Sequence, residues 1–279
     1  MKTQHRYCMI TGASQGLGRA FAEYAASRGW NLLIAALPDS GLDDLAAALS
    51  LRYEVDVVAE ECDLTEADDR DRLIDRAEEF EIAALINNAG VDSPGRFTSV
   101  DVGRLLAMVE LNNLALVEIT HRLLPQLGYT APDRYILNVS SLSSYFPIPY
   151  MAVYAASKSF VLQFSLALRA ELAKSHISVS VLCPSGIRTS GDVIRRIEVQ
   201  GLMGRITSAS PKEVARYAFE SMLARRAVII PGGINRFLRR VSTLIPAHKL
   251  ATLLERRFSR IERHVPDTLQ MAGDRWSWS

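Results

Sequence analysis

Tyr154 and Lys158 are the residues of this 279-residue chain whose types and spacing offer chemistry most directly. They stand four positions apart in Tyr154-Ala155-Ala156-Ser157-Lys158, an Ala-rich stretch of high helix propensity. On a helix that spacing puts both side chains on one face. A phenol loses its proton near pH ~10, and acid–base work near neutrality requires that value to fall by about 3, equivalent to roughly 4 kcal/mol. One cation at contact distance in a partly shielded site supplies an amount of that order. The competing reading is a core tyrosine beside a solvated lysine, and the pair alone does not decide between the two.

Such a pair needs a scaffold and a partner reagent. Arg6–Ile10 reads as a short buried strand that runs into Thr11-Gly12-Ala13-Ser14-Gln15-Gly16-Leu17-Gly18, and a helix follows over 17–28. Gly12, Gly16 and Gly18 let the backbone turn tightly and approach a pyrophosphate, with a helix N-terminus aimed at the anion. The spacing is GxxxGxG, not GxGxxG; a glycine-rich turn holding no ligand is the alternative. Further strands are expected at Asn31–Leu37, Val55–Cys62, Ala83–Ile86, Arg134–Val139, Ile177–Leu182 and Ala227–Ile230, β-branched and apolar in character. Helices are expected at Leu42–Leu51, Val102–Leu124 (stopping before Pro125), Val153–Lys174 and Pro211–Arg225. Asn112 and Asn113 fall inside the second of these. Amides are poor mid-helix residues because they compete for backbone hydrogen bonds, so a reason for one there is expected.

Ser141, Tyr154 and Lys158 stand at the spacing found in the short-chain dehydrogenase/reductase family. The Thr11–Gly18 loop is similar to that family's cofactor loop, and Asn87-Asn88-Ala89-Gly90 resembles its central-strand motif. The motifs run in order over residues 6–233, most of the chain. The resemblance implies an α/β fold: a doubly wound Rossmann-type, mainly parallel seven-stranded sheet with helices on both faces. It implies hydride transfer between NAD(P)(H) and a carbonyl or secondary alcohol. Tyr154 would then give or take the oxygen-bound proton and Ser141 would hydrogen-bond the developing oxyanion. Lys158 would hold the nicotinamide ribose and make Tyr154 more acidic. Asn112 would hold a water linked to Lys158, leaving Asn113 as a bystander. The cofactor would lie on Gly12, Ser14, Gln15, Gly16, Leu17 and Gly18, with Tyr154 and Lys158. Asp63 would accept from the adenine amino group beside Leu64, unless it caps the next helix, a task open to Thr65. Asn88 would pin the central sheet, Ala89 and Gly90 would let the cofactor lie close, and Ile187 and Thr189 would meet the carboxamide.

The chain departs from the family pattern in places. An acid selecting NAD belongs at Ala36 and an arginine selecting NADP at Leu37; neither is present, and Gln15 replaces a basic residue that many NADP-dependent members carry. With no carboxylate to repel a phosphate the balance leans to NADP, and Arg19 either reaches its 2′-phosphate or is simply solvated. Ser185 replaces the usual glycine, with Gly186 one later. Ser190–Ser210 matches the position of the substrate lid. The apolar run Tyr145–Met151 reads either as loop packing or as a wall of the substrate pocket, which points to a medium or large apolar carbonyl. The Val153–Lys174 helix often builds dimers or tetramers in this family.

Composition sets the bounds. With 48% hydrophobic and 23% charged residues the chain is an ordinary globular protein, and a net charge of +1 makes no global case for nucleic acid. Cys8, Cys62 and Cys183 lie in or beside apolar strands, which suggests free thiols in a reducing, cytoplasmic setting. No CxxC or HExxH occurs, so no metal site is expected. No room is left for a signal peptide before the first strand. The expected organisation is a catalytic domain over 1–233 and a helical tail over 234–279. In that tail Phe237, Leu238, Val241, Leu244 and Ile245, then Leu250, Leu253, Leu254, Phe258 and Ile261, recur at helical spacing among many arginines. It either packs over the pocket or a subunit partner, or lies on an anionic membrane. A cofactor-binding regulator or scaffold without chemistry, and a peripheral membrane protein, are the rival functions.

Overall fold

The computed structural model describes residues 6–128, 133–187, 208–242 and 244–262. Seven strands form one sheet: β1 (Tyr7–Thr11), β2 (Asn31–Ala36), β3 (Val57–Glu61), β4 (Ile82–Asn87), β5 (Arg134–Val139), β6 (Ile177–Leu182) and β7 (Val228–Ile229). Their order is β3-β2-β1-β4-β5-β6-β7 and every pairing is parallel. Side chains alternate between the two faces of a strand. Cys8 and Ile10 of β1 join one core with Leu32 and Ile34, whereas Tyr7 and Met9 join the other with Leu33 and Ala35. Both faces are covered, which is why the central strands read as unbroken apolar runs.

Helices α1 (Gly16–Ser27) and α2 (Leu42–Tyr53) pack on the first face, and α3 (Ala67–Glu78) on the second. The expected helix from Val102 is longer and comes in three parts: α4 (Val102–Val109), a π-helical turn (Glu110–Ala115) and α5 (Leu116–Leu127). Pro125 does not stop it. It falls in the last turn, where it forgoes a single i→i−4 bond, and Gly128, at φ 68°, ends the helix. Helix α6 (Ala152–Glu171) gives way to a 3-10 turn at Leu172–Lys174, and α7 (Pro211–Leu223) starts at the Ser210 cap.

The tail forms α8 (Gly233–Ser242) and α9 (Ala247–Glu262). Leu250 packs inward and Tyr150 donates to Glu255 at 3.3 Å, so α9 leans on the loop before α6. The expected substrate lid lies almost wholly outside the described residues. Among those described, no helix is long and apolar enough to cross a membrane.

Candidate active site

The strand order reverses between β1 and β4, and the crevice outside their carboxyl ends is where open α/β sheets take ligands. Thr11 and Asn88 close the base of that crevice. Thr11 Oγ1 accepts from the backbone N–H groups of Asn88 and Ala89, each at 3.1 Å. Asn88 Nδ2 donates to the carbonyls of Thr11 (3.0 Å) and Gly12 (3.1 Å). The Asn88 carboxamide therefore pins β4 to the glycine loop, and both its N–H groups are committed. The glycines are required by close backbone approach. A Cβ on Gly12 would stand 2.9 Å from Ala89 Cα, and one on Gly18 would stand 1.9 Å from Gly12 O. Gln15 is exposed and Ser14 and Gly16 are half-buried, while Leu17 and Gly18 are buried.

Helix α1 begins at Gly16 with no capping side chain and no acid in its first turn. By contrast, Asp101 caps α4 and Ser210 caps α7. An uncapped, electropositive helix end behind a glycine turn fits a diphosphate. At the end of β2, Ala36 is buried and Leu37 half-buried, while Arg19 pairs with Glu23 at 3.2 Å on the surface of α1. Asp63 Oδ1 accepts from Thr65 N (2.9 Å) and Thr65 Oγ1 (2.7 Å). Thr65 therefore does not cap α3, which starts after Glu66 with no side-chain cap. The local turn anchors the Asp63 carboxylate, and Leu64 is buried beneath it.

Lys158 and Tyr154 come together as their spacing requires. Lys158 is 5% exposed; its Nζ donates to Val139 O at the end of β5 (3.1 Å) and lies 6.0 Å from the centre of the Tyr154 ring. Burial lowers the Lys158 pKa to about 8, with Asp92 opposing the shift. Asn112 reaches the same place from the π-helical turn. A Cβ on Gly90 would meet Asn112 Oδ1 at 2.9 Å and Lys158 Nζ at 3.0 Å, so Gly90 is enclosed by Asn112 and Lys158 together.

The Asn112 carboxamide is well anchored. Its Oδ1 accepts from Val91 N (2.9 Å), and its Nδ2 donates to Val91 O (3.0 Å) and Ser157 Oγ (3.1 Å). Both its N–H groups are used, while Oδ1 has a second lone pair to which a water on the Lys158 ammonium would donate. Asn113 is not a bystander: it is buried and donates to Ser157 O at 2.9 Å. The widened π turn lets two successive amides address one partner helix.

Ser140 and Ser141 divide their tasks. Ser140 Oγ donates to Lys158 O at 2.7 Å and ties β5 to α6. Ser141 Oγ accepts from Ser143 N at 3.1 Å, at the start of the 3-10 turn Leu142–Tyr145. Ile187 forms a single parallel bridge with Ala209. Thr189 lies outside the described residues.

The Tyr145–Pro149 part of the apolar run lines a cavity of about 500 Å³, together with Ala152, Ala156 and Ala251. Ala155 and Ser159, next to Tyr154 and Lys158 in sequence, also line it, and Ala251 of α9 closes it.

Sequence reasoning left Thr11, Ser140, Asn113 and Ser157 without roles, and also a buried chain. Asn87 Nδ2 donates to Asn138 Oδ1 (2.8 Å), and Asn138 Nδ2 to Ser165 Oγ (2.9 Å). An asparagine inside an apolar strand run is a signal, since a buried amide needs partners. The three thiols are free and buried; burial pushes Cys62 up to about 12 and Cys183 to about 11.

Known proteins resemble this chain. The short chain dehydrogenase profile matches residues 6–196. Sulfoacetaldehyde reductase 2 of Chromohalobacter salexigens is 33% identical over 190 residues, 67% of this chain and 75% of that one. A very-long-chain 3-oxoacyl-CoA reductase of Neurospora crassa is 34% identical over 195 residues, 68% of this chain but only 58% of the relative, so the match spans little more than half of it. A short-chain dehydrogenase of Sphingobium yanoikuyae, solved with NADPH, superposes with a TM-score of 0.73 at 28% identity, over 98% of this chain and 99% of that one. With its motifs, its sheet order and these relatives in agreement, the chain belongs to the short-chain dehydrogenase family.

Proposed function

We propose that this protein is an NAD(P)(H)-dependent oxidoreductase that interconverts a carbonyl and a secondary alcohol. The observation that carries the reading is the buried Lys158, held on the Val139 carbonyl with its ammonium toward the Tyr154 ring and packed with Asn112 around Gly90. A bound nicotinamide would supply or accept the hydride. The glycine loop, Asp63, Asn88–Gly90 and Ile187, completed by Thr189, would hold it.

Tyr154 would pass its phenolic proton to the substrate oxygen, with the Lys158 charge favouring the phenolate left behind. The Ser141 hydroxyl already accepts from Ser143 N, which leaves its own O–H to donate to the developing oxyanion. Asn112 would position α6 through Ser157 and, at Oδ1, hold a water linked to Lys158. Tyr154→Phe is expected to lower turnover by at least ~10²-fold while NADPH affinity, read by fluorescence titration, changes little. Retained turnover would remove Tyr154 as the acid.

The missing acid at the end of β2 favours NADP, as does the NADPH complex of the Sphingobium relative. Parallel titrations with NADP and NAD decide it, and equal affinity would sink the preference. The named substrates of the two relatives, sulfoacetaldehyde and a very-long-chain 3-oxoacyl-CoA, share only the carbonyl. For this chain the apolar tail and loop favour a medium or large apolar one. A broad ketone panel that consumed no NAD(P)H would favour a cofactor-binding regulator instead.

A further inference from the structure

Helix α8 is turned the wrong way round for a helix that merely covers the body. Its inward side carries Asn235, which is 4% exposed and donates to Ser185 Oγ (3.0 Å) and Pro231 O (2.8 Å). Beside it Arg239 lies 5.1 Å over the Tyr145 ring. Its outward side carries Ile234, Phe237 (65% exposed) and Val241, and Leu244 (82% exposed) continues the stripe past the helix end. An amphipathic helix at rest on a globular body points its apolar stripe at the core. Here the inner side holds buried Asn235 and half-buried Arg239, and an apolar patch of large side chains faces out, which marks an interaction surface.

Charge identifies the occupant. Arg240 on α8 and Lys249 at the start of α9 are exposed around the patch, as is Arg236, which also donates to Ile230 O at 3.1 Å, while Glu255 is turned to Tyr150. Residues 234–279 contain nine Lys and Arg against four Asp and Glu, a net charge of +5; the whole chain carries +1, so residues 1–233 carry −4. A two-fold contact between copies would place the same cations against each other. An anionic bilayer takes both halves of the pattern: apolar side chains enter the headgroup–acyl boundary and cations meet the phosphates.

We propose that α8, with Leu244 and the start of α9, docks this protein onto the surface of an anionic membrane, with the helix lying in the interface plane. The inner side of the same helix holds Ser185 and Tyr145, in the loops that follow β6 and β5. Docking would therefore bring the rim of the candidate site within about one helix diameter, ~10–12 Å, of the lipid. The docking stands whether or not the oxidoreductase reading does, because it is measured without cofactor or substrate.

The test is vesicle flotation of the full chain with phosphatidylcholine alone and with about 30% phosphatidylglycerol added, at low and high salt. The protein is expected to float with the anionic vesicles only, and less at high salt. Phe237→Glu and Arg240→Glu should each lower the bound fraction at least about fivefold, whereas Leu51→Ser, at an exposed apolar position on α2, should not. Failure to float with either vesicle, or flotation indifferent to both substitutions, would overturn the proposal. A drop in lipid-free molecular mass on Phe237→Glu would also overturn it, assigning the face to a second copy.

Discussion

An ammonium with almost no access to water is costly at Lys158, and the fold keeps it there. Burial brings its pKa from 10.5 down to about 8. The unfolded chain therefore binds the extra proton between about pH 8 and ~10.5, and stability rises with pH across that window. Below about pH 8 the penalty is fully present, up to roughly 3 kcal/mol for a change of this size. Lys158→Met is thus expected to unfold at higher urea than the parent at pH 7, with the advantage fading toward pH 10.5, while turnover is lost. An advantage that did not change with pH would mean that the buried charge is not its source. At this scale the sequence was most legible where chemistry depends on short spacing. Tyr154 and Lys158 are one helical turn apart, and the three glycines sit within one loop. It was least legible for Thr11, Ser140 and Asn113. Their partners lie 77, 18 and 44 positions away, and nothing in the local pattern points to them.

Among the elements, the π-helical turn between α4 and α5 does the most positioning. It turns Asn112 and Asn113 toward Ser157, which in turn donates to Tyr154 O at 2.8 Å. Asn113→Leu removes one buried hydrogen bond and is expected to cost about 1 kcal/mol. Asn112→Leu strips partners from Val91 and Ser157 together and should cost about 3 kcal/mol. Urea unfolding of both variants checks the ranking, and the reverse order would show that the Val91 contacts are dispensable. That amides sit awkwardly inside a helix is readable in the sequence; that both are needed is not, because a straight α-helix would have turned one of them aside. Ser185 shows the same limit. Its departure from the expected glycine is visible in the sequence, but its reason, the bond to Asn235 of α8, joins segments 50 residues apart.

Across the whole molecule, a second apolar surface bears on assembly. Val102, Leu106 and Val109 of α4 and Leu114 are exposed, and α4 packs beside α6, whose Phe160 stacks on Phe164 at 6.0 Å. An exposed apolar face of this kind marks an interaction surface. Leu106→Glu combined with Phe160→Glu should lower the mass seen in sedimentation equilibrium to that of one chain; an unchanged mass would place the interface elsewhere. The sequence by itself determined the alternation of strand and helix and the Tyr–Lys pair, because these rest on periods of two and 3.6 residues and on spacings inside a single helix turn; the parallel sheet and the family came from the resemblance that the motifs carry. Only the tertiary structure decided which partners hold Ser140 and Ser141, that both N–H groups of Asn112 are used, that α9 closes the apolar cavity, and that α8 turns its greasy side outward. Each of those depends on which distant segment lies against the residue, and burial and hydrogen-bond partners are set by that packing and not by sequence spacing.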